Sequence, residues 1–258
     1  SKIKIGKFAL KNRVAVSPMC QYSAKKGSPS KWHYNHLLKL ITSGTSMLML
    51  ESTAVNKVGK ITHSDLCLSN QKQKKNFKNF ISFLKLHENN TPICLQISHA
   101  GRKGSSYIPW EKSNTPLNKK SNSWTTVSAS PIKKDKNWPI PKSLSKKEII
   151  KIINDFVKTS KLAVSSGFDG LEIHMAHGYL LHQFLSPISN KRTDEYGGNL
   201  EKRCKFALEI AKRVRKILPK NKILGARVTG SDHLKKGINI KDSIYLAKKL
   251  KSIGFDYV

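Results

Sequence analysis

His174, His177 and Tyr179 lie within one six-residue stretch, and their side chains could hold and protonate a polarised oxygen. Imidazole N–H groups donate hydrogen bonds to a carbonyl oxygen that gains negative charge, and a phenol can deliver a proton. Two histidines three residues apart can also share a zinc ion. No other histidine or cysteine has a typical companion spacing, so we predict no metal site. A purely structural role for the two histidines stays open.

Further polar candidates follow short apolar runs. They occupy residues 17–22, 51–54 and 96–102, and a further apolar run at 223–228 contains Arg227. No paired carboxylates of the glycosidase type and no nucleophile elbow occur among them. These polar residues therefore favour binding and proton transfer over covalent catalysis.

Six apolar runs predict the strands that must position these residues. The runs are residues 14–16, 47–50, 93–97, 171–175, 223–228 and 255–258. Continuous apolar character, without alternation, is typical of parallel strands that are covered on both faces. Helical patterns lie between them, one opened by a capping box at Ser145, one following Asn199 and one following Asp242.

A glycine repeatedly separates a helix from the next strand, at Gly44, Gly167 and Gly254. Glycine suits the left-handed residue that ends many helices. The repeated helix, glycine and strand predict an α/β fold, either a (β/α)8 TIM barrel or a doubly wound sheet. No G-x-G-x-x-G follows a strand, which favours the barrel. We predict a single domain over residues 1–258, with a long loop excursion at 101–143.

The chain has 258 residues and a formal net charge of +32, which suggests a polyanionic partner. Only seven of its 48 basic residues are arginine, and the lysines are scattered along the chain. Nucleic-acid readers depend on arginine for bidentate contacts, so we expect no specific nucleic-acid partner. No apolar run approaches the ~20 residues of a membrane helix, and we expect no membrane partner. The four cysteines form no pairing pattern, which predicts reduced thiols and a cytoplasmic location.

Five motifs together resemble the old yellow enzyme family of FMN-dependent ene-reductases. They are SPMCQY (17–22), HAGRK (99–103), HMAHGYL (174–180), FLSP (184–187) and SNKRTDEYGG (189–198). They occur in family order over the whole chain. The resemblance is strongest to the bacterial branch of thermophilic-type ene-reductases and xenobiotic reductases, and it implies a (β/α)8 barrel.

The resemblance also implies a reaction. Members of this family take hydride from NADPH or NADH onto FMN, release the nicotinamide, and then reduce an activated alkene such as an enone in a ping-pong cycle. We therefore expect a small-molecule alkene substrate, an FMN cofactor and, for the whole enzyme, a homo-oligomer. Related 2,4-dienoyl-CoA reductases add an iron–sulfur cluster, and no cysteine cluster for one occurs up to Val258.

Matching motif positions implies residue roles. The residues that would bind the flavin are Ser17, Pro18, Met19, Cys20, Ser52, Gln96 and Arg227. Among them, Cys20 would tune the flavin potential, Gln96 would bind the pyrimidine edge, and Arg227 would favour the anionic reduced flavin. Ser52 departs from the branch, where alanine is usual.

The same matching assigns the substrate site. His174 and His177 would grip the substrate carbonyl oxygen, Tyr179 would donate the proton, and Tyr22 would contact the substrate. Packing roles for Met19 and Arg227, and a proton supplied by water instead of Tyr179, remain alternatives.

The last apolar run ends at Val258, so we count about six of the eight β/α units. In the family the remaining units supply the FMN phosphate site. We therefore expect a C-terminally truncated chain that, by itself, is unstable and binds FMN weakly. Two alternatives stay open: an inactive truncated fragment, and a basic nucleic-acid-binding or scaffold protein on a decayed barrel.

Overall fold

A computed structural model describes residues 1–258, and its elements alternate between strands and helices along most of the chain. The strands are β1 (Ile3–Ile5), β2 (Phe8–Leu10), β3 (Ala15–Val16), β4 (Met47–Ala54), β5 (Ile93–Ser98), β6 (Val127–Ser128), β7 (Lys142–Ser143), β8 (Gly170–Met175) and β9 (Ile223–Val228). The helices are α1 (Lys31–Ile41), α2 (Gln71–His87), α3 (Pro109–Lys112), α4 (Lys146–Ser165), α5 (Leu180–Leu185), α6 (Leu200–Ile217) and α7 (Ile240–Ile253). None of these helices is long and apolar enough to cross a membrane.

Five parallel strands form the central sheet in the order β3-β4-β5-β8-β9. Every residue of β4, β5 and β8 is buried, which confirms the prediction of strands covered on both faces. The sixth predicted strand is present only as a parallel bridge between Gly225 and Tyr257. Sequential parallel strands with intervening helices are the arrangement of a (β/α)8 barrel, here seen in part.

The main core lies between the sheet and the helices outside it. Its largest fully buried side chains include Phe77 and Phe80 of α2, Phe156 of α4 and Phe206 of α6. A second, smaller cluster of Leu10, Met47, Met49, Cys94 and Ile223 lies where the β1–β2 hairpin packs against the sheet. The carboxyl ends of the strands stay free for a site.

The structure confirms two of the three helix starts that the sequence predicted. Ser145 caps α4 through a capping box with Glu148, and the Asn199 side chain caps α6. The predicted start of α7, after Asp242, was wrong: the helix begins at Ile240, and Asn239 is its cap. Asp242 is the third residue of the capping box and accepts a hydrogen bond from the cap backbone, so both residues carry start signals. Gly254 ends α7 with φ of +96°, as predicted.

The excursion at 101–143 contains only the short α3, two 3-10 turns and the strands β6 and β7, which pair in parallel. Arg192 connects this excursion to the rest of the barrel. Its guanidinium donates to the carbonyl oxygens of Ala129 (3.0 Å) and Leu144 (2.7 Å) and forms a bidentate pair with Asp194. The motif at 189–198 therefore braces the excursion beside the carboxyl end of β8.

Candidate active site

His174 and His177 are hydrogen-bonded to each other at the end of β8. The backbone N–H of Ala176 donates to His174 Nδ1 (3.1 Å), so the ring proton of a neutral His174 is on Nε2. That Nε2–H donates to His177 Nδ1 at 3.2 Å. A neutral His177 then carries its own proton on Nε2. The pair thus presents one outward N–H donor, on the exposed His177 ring.

The backbone around His177 is fixed by a second polar group. His177 has a left-handed φ of +57°, and the next residue, Gly178, donates its N–H to His182 Nδ1 at 2.6 Å. His182 in turn donates from Nε2 to Asp232 at 2.9 Å. Lys103 Nζ donates to the His177 carbonyl oxygen at 2.8 Å. These bonds hold a backbone conformation that residues other than glycine seldom adopt.

Both histidines of the pair are kept neutral. Burial, with smaller contributions from His177 and Arg227, lowers the pKa of His174 to about 3. The pKa of His177 is lowered as well, first by partial burial and then by Arg227 and Lys103. The pair therefore offers a hydrogen-bond donor without a full positive charge over the physiological pH range.

Tyr179 lies against the same pair and keeps its proton. Its ring is 4.9 Å from the His174 ring, edge to face, and Lys103 Nζ lies 5.2 Å from its centre. Its hydroxyl makes no hydrogen bond within the chain. Burial, followed by the charges that Cys20 and Tyr22 would carry, raises the pKa of this hydroxyl far above its usual range. Cys20 and Tyr22 are thus near enough for their charges to act on the Tyr179 hydroxyl.

A buried carboxylate positions the loop that carries Cys20. Glu51, in the middle of β4, accepts hydrogen bonds from the Gln21 backbone N–H and from His33 Nε2, both at 2.9 Å. Burial raises the pKa of the adjacent Cys20 thiol well above its usual range, and Asp65 and Glu51 raise it further. Cys20 is therefore a protonated thiol, a weak donor at the edge of the site.

Gln96, the residue expected at a flavin edge, is held inside the barrel by Glu172. Its Nε2 donates to one Glu172 oxygen at 2.6 Å, and the Tyr257 hydroxyl donates to the other at 2.9 Å. One amide N–H and the carbonyl oxygen of Gln96 stay unused by this bond. Ser52 is also bonded within the chain, since its hydroxyl is hydrogen-bonded to that of Ser98.

The remaining predicted residues border an open groove at the sheet edge. Its volume is about 520 Å³, and Ser17, Pro18, Arg227 and Tyr257 are among its walls. Arg227 pairs with His174 across β8 and β9, and its guanidinium makes no hydrogen bond or ion pair within the chain. Met19 is 56% exposed on the loop beside this groove.

The family model described as the NADH:flavin oxidoreductase / NADH oxidase family matches residues 1–257. The chain belongs to this family. It is 41% identical over 234 residues to an NADH:flavin oxidoreductase of Gibberella zeae and 36% identical over 260 residues to the NADPH dehydrogenase of Listeria welshimeri. It covers 56% of the Gibberella protein and 71% of the Listeria protein, and these alignments use 90% and 100% of this chain.

The fold is similarly supported by the solved structure of morphinone reductase in complex with tetrahydroNAD. The TM-score is 0.84 at 22% identity, over 100% of this chain and 71% of that one. The old yellow enzyme resemblance, the partial (β/α)8 barrel, and the assignment to FMN-dependent NAD(P)H oxidoreductases are thereby confirmed.

The residues of this family member fit FMN at the groove. The isoalloxazine ring is flat and apolar on its faces, and its pyrimidine edge offers N–H and C=O groups. The groove supplies Pro18 for a face and the unpartnered Arg227 for the polar edge. Gln96 lies behind the groove residue Glu172, and its unused amide groups suit the same edge. Gln96, Arg227 and residues 17–20 are therefore the groups that would hold the cofactor.

Sequence reasoning missed three residues that organise this site. Glu172 was given no role in the site, yet it accepts hydrogen bonds from the neutral Gln96 and Tyr257. Lys103 and Asp232 were not singled out at all. Lys103 belongs to the HAGRK motif, which offered a signal, whereas no pattern links Asp232 to a histidine 50 residues earlier.

The hydroxyl of Tyr257 is predicted to stabilise the folded chain. In Tyr257→Phe one buried oxygen of Glu172 loses its donor, which should lower the free energy of unfolding by about 1–3 kcal/mol. Tyr245→Phe is the control, because that hydroxyl makes no hydrogen bond within the chain, and its effect should stay below about 0.5 kcal/mol. Denaturant unfolding measures both, and equal effects would contradict the role of Tyr257.

His99 should make stability fall at acid pH. Its Nδ1 accepts the Gly101 N–H, its Nε2 has no partner in the chain, and burial lowers its pKa to about 3. Unfolded histidine titrates near about 6.5, so below that pH only the unfolded chain binds this proton and stability is lost. Asp65, whose pKa burial raises to about 6, acts in the opposite direction because the folded chain keeps its proton there.

The variant His99→Asn isolates this contribution. Between about pH 5.5 and 4, it should flatten the dependence of unfolding free energy on pH by about 1.4 kcal/mol per pH unit. His87→Asn, the same substitution at the exposed histidine that ends α2, provides the matched comparison. A slope unchanged by His99→Asn would show that His99 is protonated in the folded chain.

Proposed function

We propose that this chain carries the active site of an FMN-dependent oxidoreductase that takes hydride from NAD(P)H and reduces C=C bonds activated by a carbonyl or nitro group. The observation that carries the proposal is the neutral His174–His177 pair beside the unbonded Tyr179 hydroxyl. Family membership supports the flavin and the nicotinamide donor. The enone class of substrate is what the family resemblance implies, and the chemistry of the pair suits it.

The histidine pair suits an oxygen that gains charge during the reaction. When hydride reaches the β-carbon of an enone, negative charge develops on the carbonyl oxygen, and a fixed donor stabilises it. His177 offers its Nε2–H, and the bond from His174 fixes the ring that carries it. Because the N–H of a neutral imidazole is a very weak acid, the pair stabilises the charge without quenching it.

Tyr179 suits the complementary task of protonating the α-carbon. Its raised pKa keeps the hydroxyl protonated at physiological pH, and no partner in the chain competes for the proton. The carbon becomes basic only after hydride has arrived, so transfer from Tyr179 follows that step. Lys103, over the ring face, favours the phenolate that remains.

Bound FMN would supply the hydride-transfer chemistry. Arg227 would place a positive charge at the polar edge of the ring system, where charge accumulates on reduction. Gln96, oriented by Glu172, would present its remaining amide groups to the same edge. Ser17, Pro18, Met19, Cys20 and Ser52 would complete the cofactor site, and Tyr22 the substrate site.

The proposal also includes a cytoplasmic location and homo-oligomeric assembly of the whole enzyme. All four cysteines are free, which suits a reducing compartment. Exposed apolar residues of the barrel, among them Val14 and Trp32, offer surface for subunit contacts.

Separate half-reactions test the proposed function. Under anaerobic conditions, NADPH should bleach the flavin absorbance of the FMN-loaded protein, and cyclohexenone added afterwards should restore it. Stopped-flow absorbance follows both steps. Bleaching without reoxidation by any enone or nitro compound would contradict the substrate class. Absence of bleaching by both NADPH and NADH would contradict the oxidoreductase itself.

Tyr179→Phe tests the proton donor. Removing the acid should slow reoxidation by cyclohexenone by about 10²–10⁴-fold. Reduction by NADPH is the internal control, because no proton is delivered to substrate carbon in that step, and it should change far less. Unchanged reoxidation in the variant would show that the proton comes from water.

A further inference from the structure

A cavity of about 440 Å³ lies among the loops that follow β3 and β4, the start of α2 and the excursion at 101–143. Its size is within the ~300–1,000 Å³ of small-molecule sites. Three lysines, one imidazole and one indole dominate its lining: Lys26, Lys57, Lys60, His63 and Trp124, with no aspartate or glutamate among the lining residues. None of the residues assigned above to the flavin or the alkene lines this cavity.

The three lysines of this cavity have no anionic partner in the chain. Lys60 Nζ donates only to the His63 carbonyl oxygen at 3.3 Å, and Lys26 and Lys57 form no side-chain hydrogen bond or ion pair. Elsewhere lysines do find carboxylates, as Lys85 does with Asp169 at 2.9 Å. A concave site that gathers unpaired cations favours a ligand with phosphate groups.

The Trp124 ring forms a fixed aromatic wall. Its Nε1–H donates to the Val58 carbonyl oxygen at 3.1 Å, and the His63 ring packs edge-on at 5.1 Å. His63 is itself anchored to the Ser121 carbonyl oxygen at 3.0 Å. An indole held in this way is a preformed surface on which a flat heterocycle can stack.

The cavity and the histidine pair are joined through one loop. The Ala100 N–H donates to the Gly59 carbonyl oxygen at 2.8 Å, which ties the cavity wall to the loop after β5. Three residues further on, Lys103 contacts both His177 and Tyr179. The loop after β5 therefore contacts both sites, and both belong to loops at the carboxyl end of the sheet.

We propose that this cavity binds the phosphorylated adenosine end of a nucleotide whose reactive end lies at His177, with the purine on Trp124 and the ribose phosphate among Lys26, Lys57 and Lys60. The inference rests on the proposed function. Two reactants share this chemistry: NADPH, which carries a 2′-phosphate on its adenosine ribose, and a coenzyme A thioester, which carries a 3′-phosphate. The cavity is thus the place where the chain distinguishes NADPH from NADH, or a thioester from a free enone.

Calorimetric titration with small nucleotides tests the cavity without turnover. Adenosine 2′,5′-bisphosphate and adenosine 3′,5′-bisphosphate are the probes, and AMP is the comparison. We expect the better bisphosphate to bind about tenfold more tightly than AMP, with affinity that falls as salt rises. The isomer that binds better identifies the reactant, the 2′ form NADPH and the 3′ form a coenzyme A thioester.

A matched pair of double variants distinguishes binding in the cavity from attraction by the net positive charge of the chain. Lys57→Ala/Lys60→Ala should lower the affinity for the better bisphosphate by about tenfold or more. Lys212→Ala/Lys216→Ala removes the same charge from the exposed face of α6 and should lower the affinity for that bisphosphate by less than about twofold. Trp124→Ala should lower the affinity for AMP as well, whereas Trp124→Phe, which keeps a stacking face, should lower it less.

Equal losses in the two lysine variants would overturn the proposal, because they would show attraction by net charge alone. Bisphosphates that bind no better than AMP would overturn it as well. Bisphosphate binding that depends on Lys57 and Lys60, in a protein whose flavin is reduced by neither NADPH nor NADH, would support the cavity and contradict the proposed function. The two inferences thus fail by different measurements.

Discussion

The hydrogen bonds to the Glu172 carboxyl group join three neighbouring parts of the barrel. Gln96 donates from β5, and Tyr257 donates from the segment after α7. The Tyr257 ring fits there only because residue 225 is glycine, since a Cβ at that position would lie 2.0 Å from a ring carbon. A single buried acceptor thus fixes the positions of β5, β8 and the start of the next strand.

The positions of the active-site residues depend on this arrangement. Residues two apart on a strand project from the same face, so Glu172 and His174 face the same side of β8. His174 is paired in register with Arg227 on β9. The orientation of the Gln96 amide, the place of the histidine pair and the distance to Arg227 therefore depend on one another. A substitution at Glu172 would disturb the cofactor edge and the substrate donor together.

The sequence predicted the strands well because their evidence is local. Apolar runs of the right length mark β4, β5, β8 and β9, and each lies within two residues of its prediction except for β4, which extends through Ala54. The start of α7 was harder, because Asn239 and Asp242 both carry the signal of a helix start. Pairs between distant residues could not be found in this way: the partner of Ser52 is Ser98, 46 residues away.

The lysine surplus acts on the site in two ways that differ in range. Charges in water are screened beyond ~8 Å at physiological salt, so most of the 48 basic residues contribute only a weak, general attraction for anions. Lys103 acts at contact distance: it adds to burial and Arg227 in lowering the pKa of His177, and it lies over the Tyr179 ring. A general field attracts NADPH, FMN and any other phosphate alike. Discrimination among them requires cations that are held in place beside a shaped wall, and in this chain that combination occurs where Lys57 and Lys60 border Trp124.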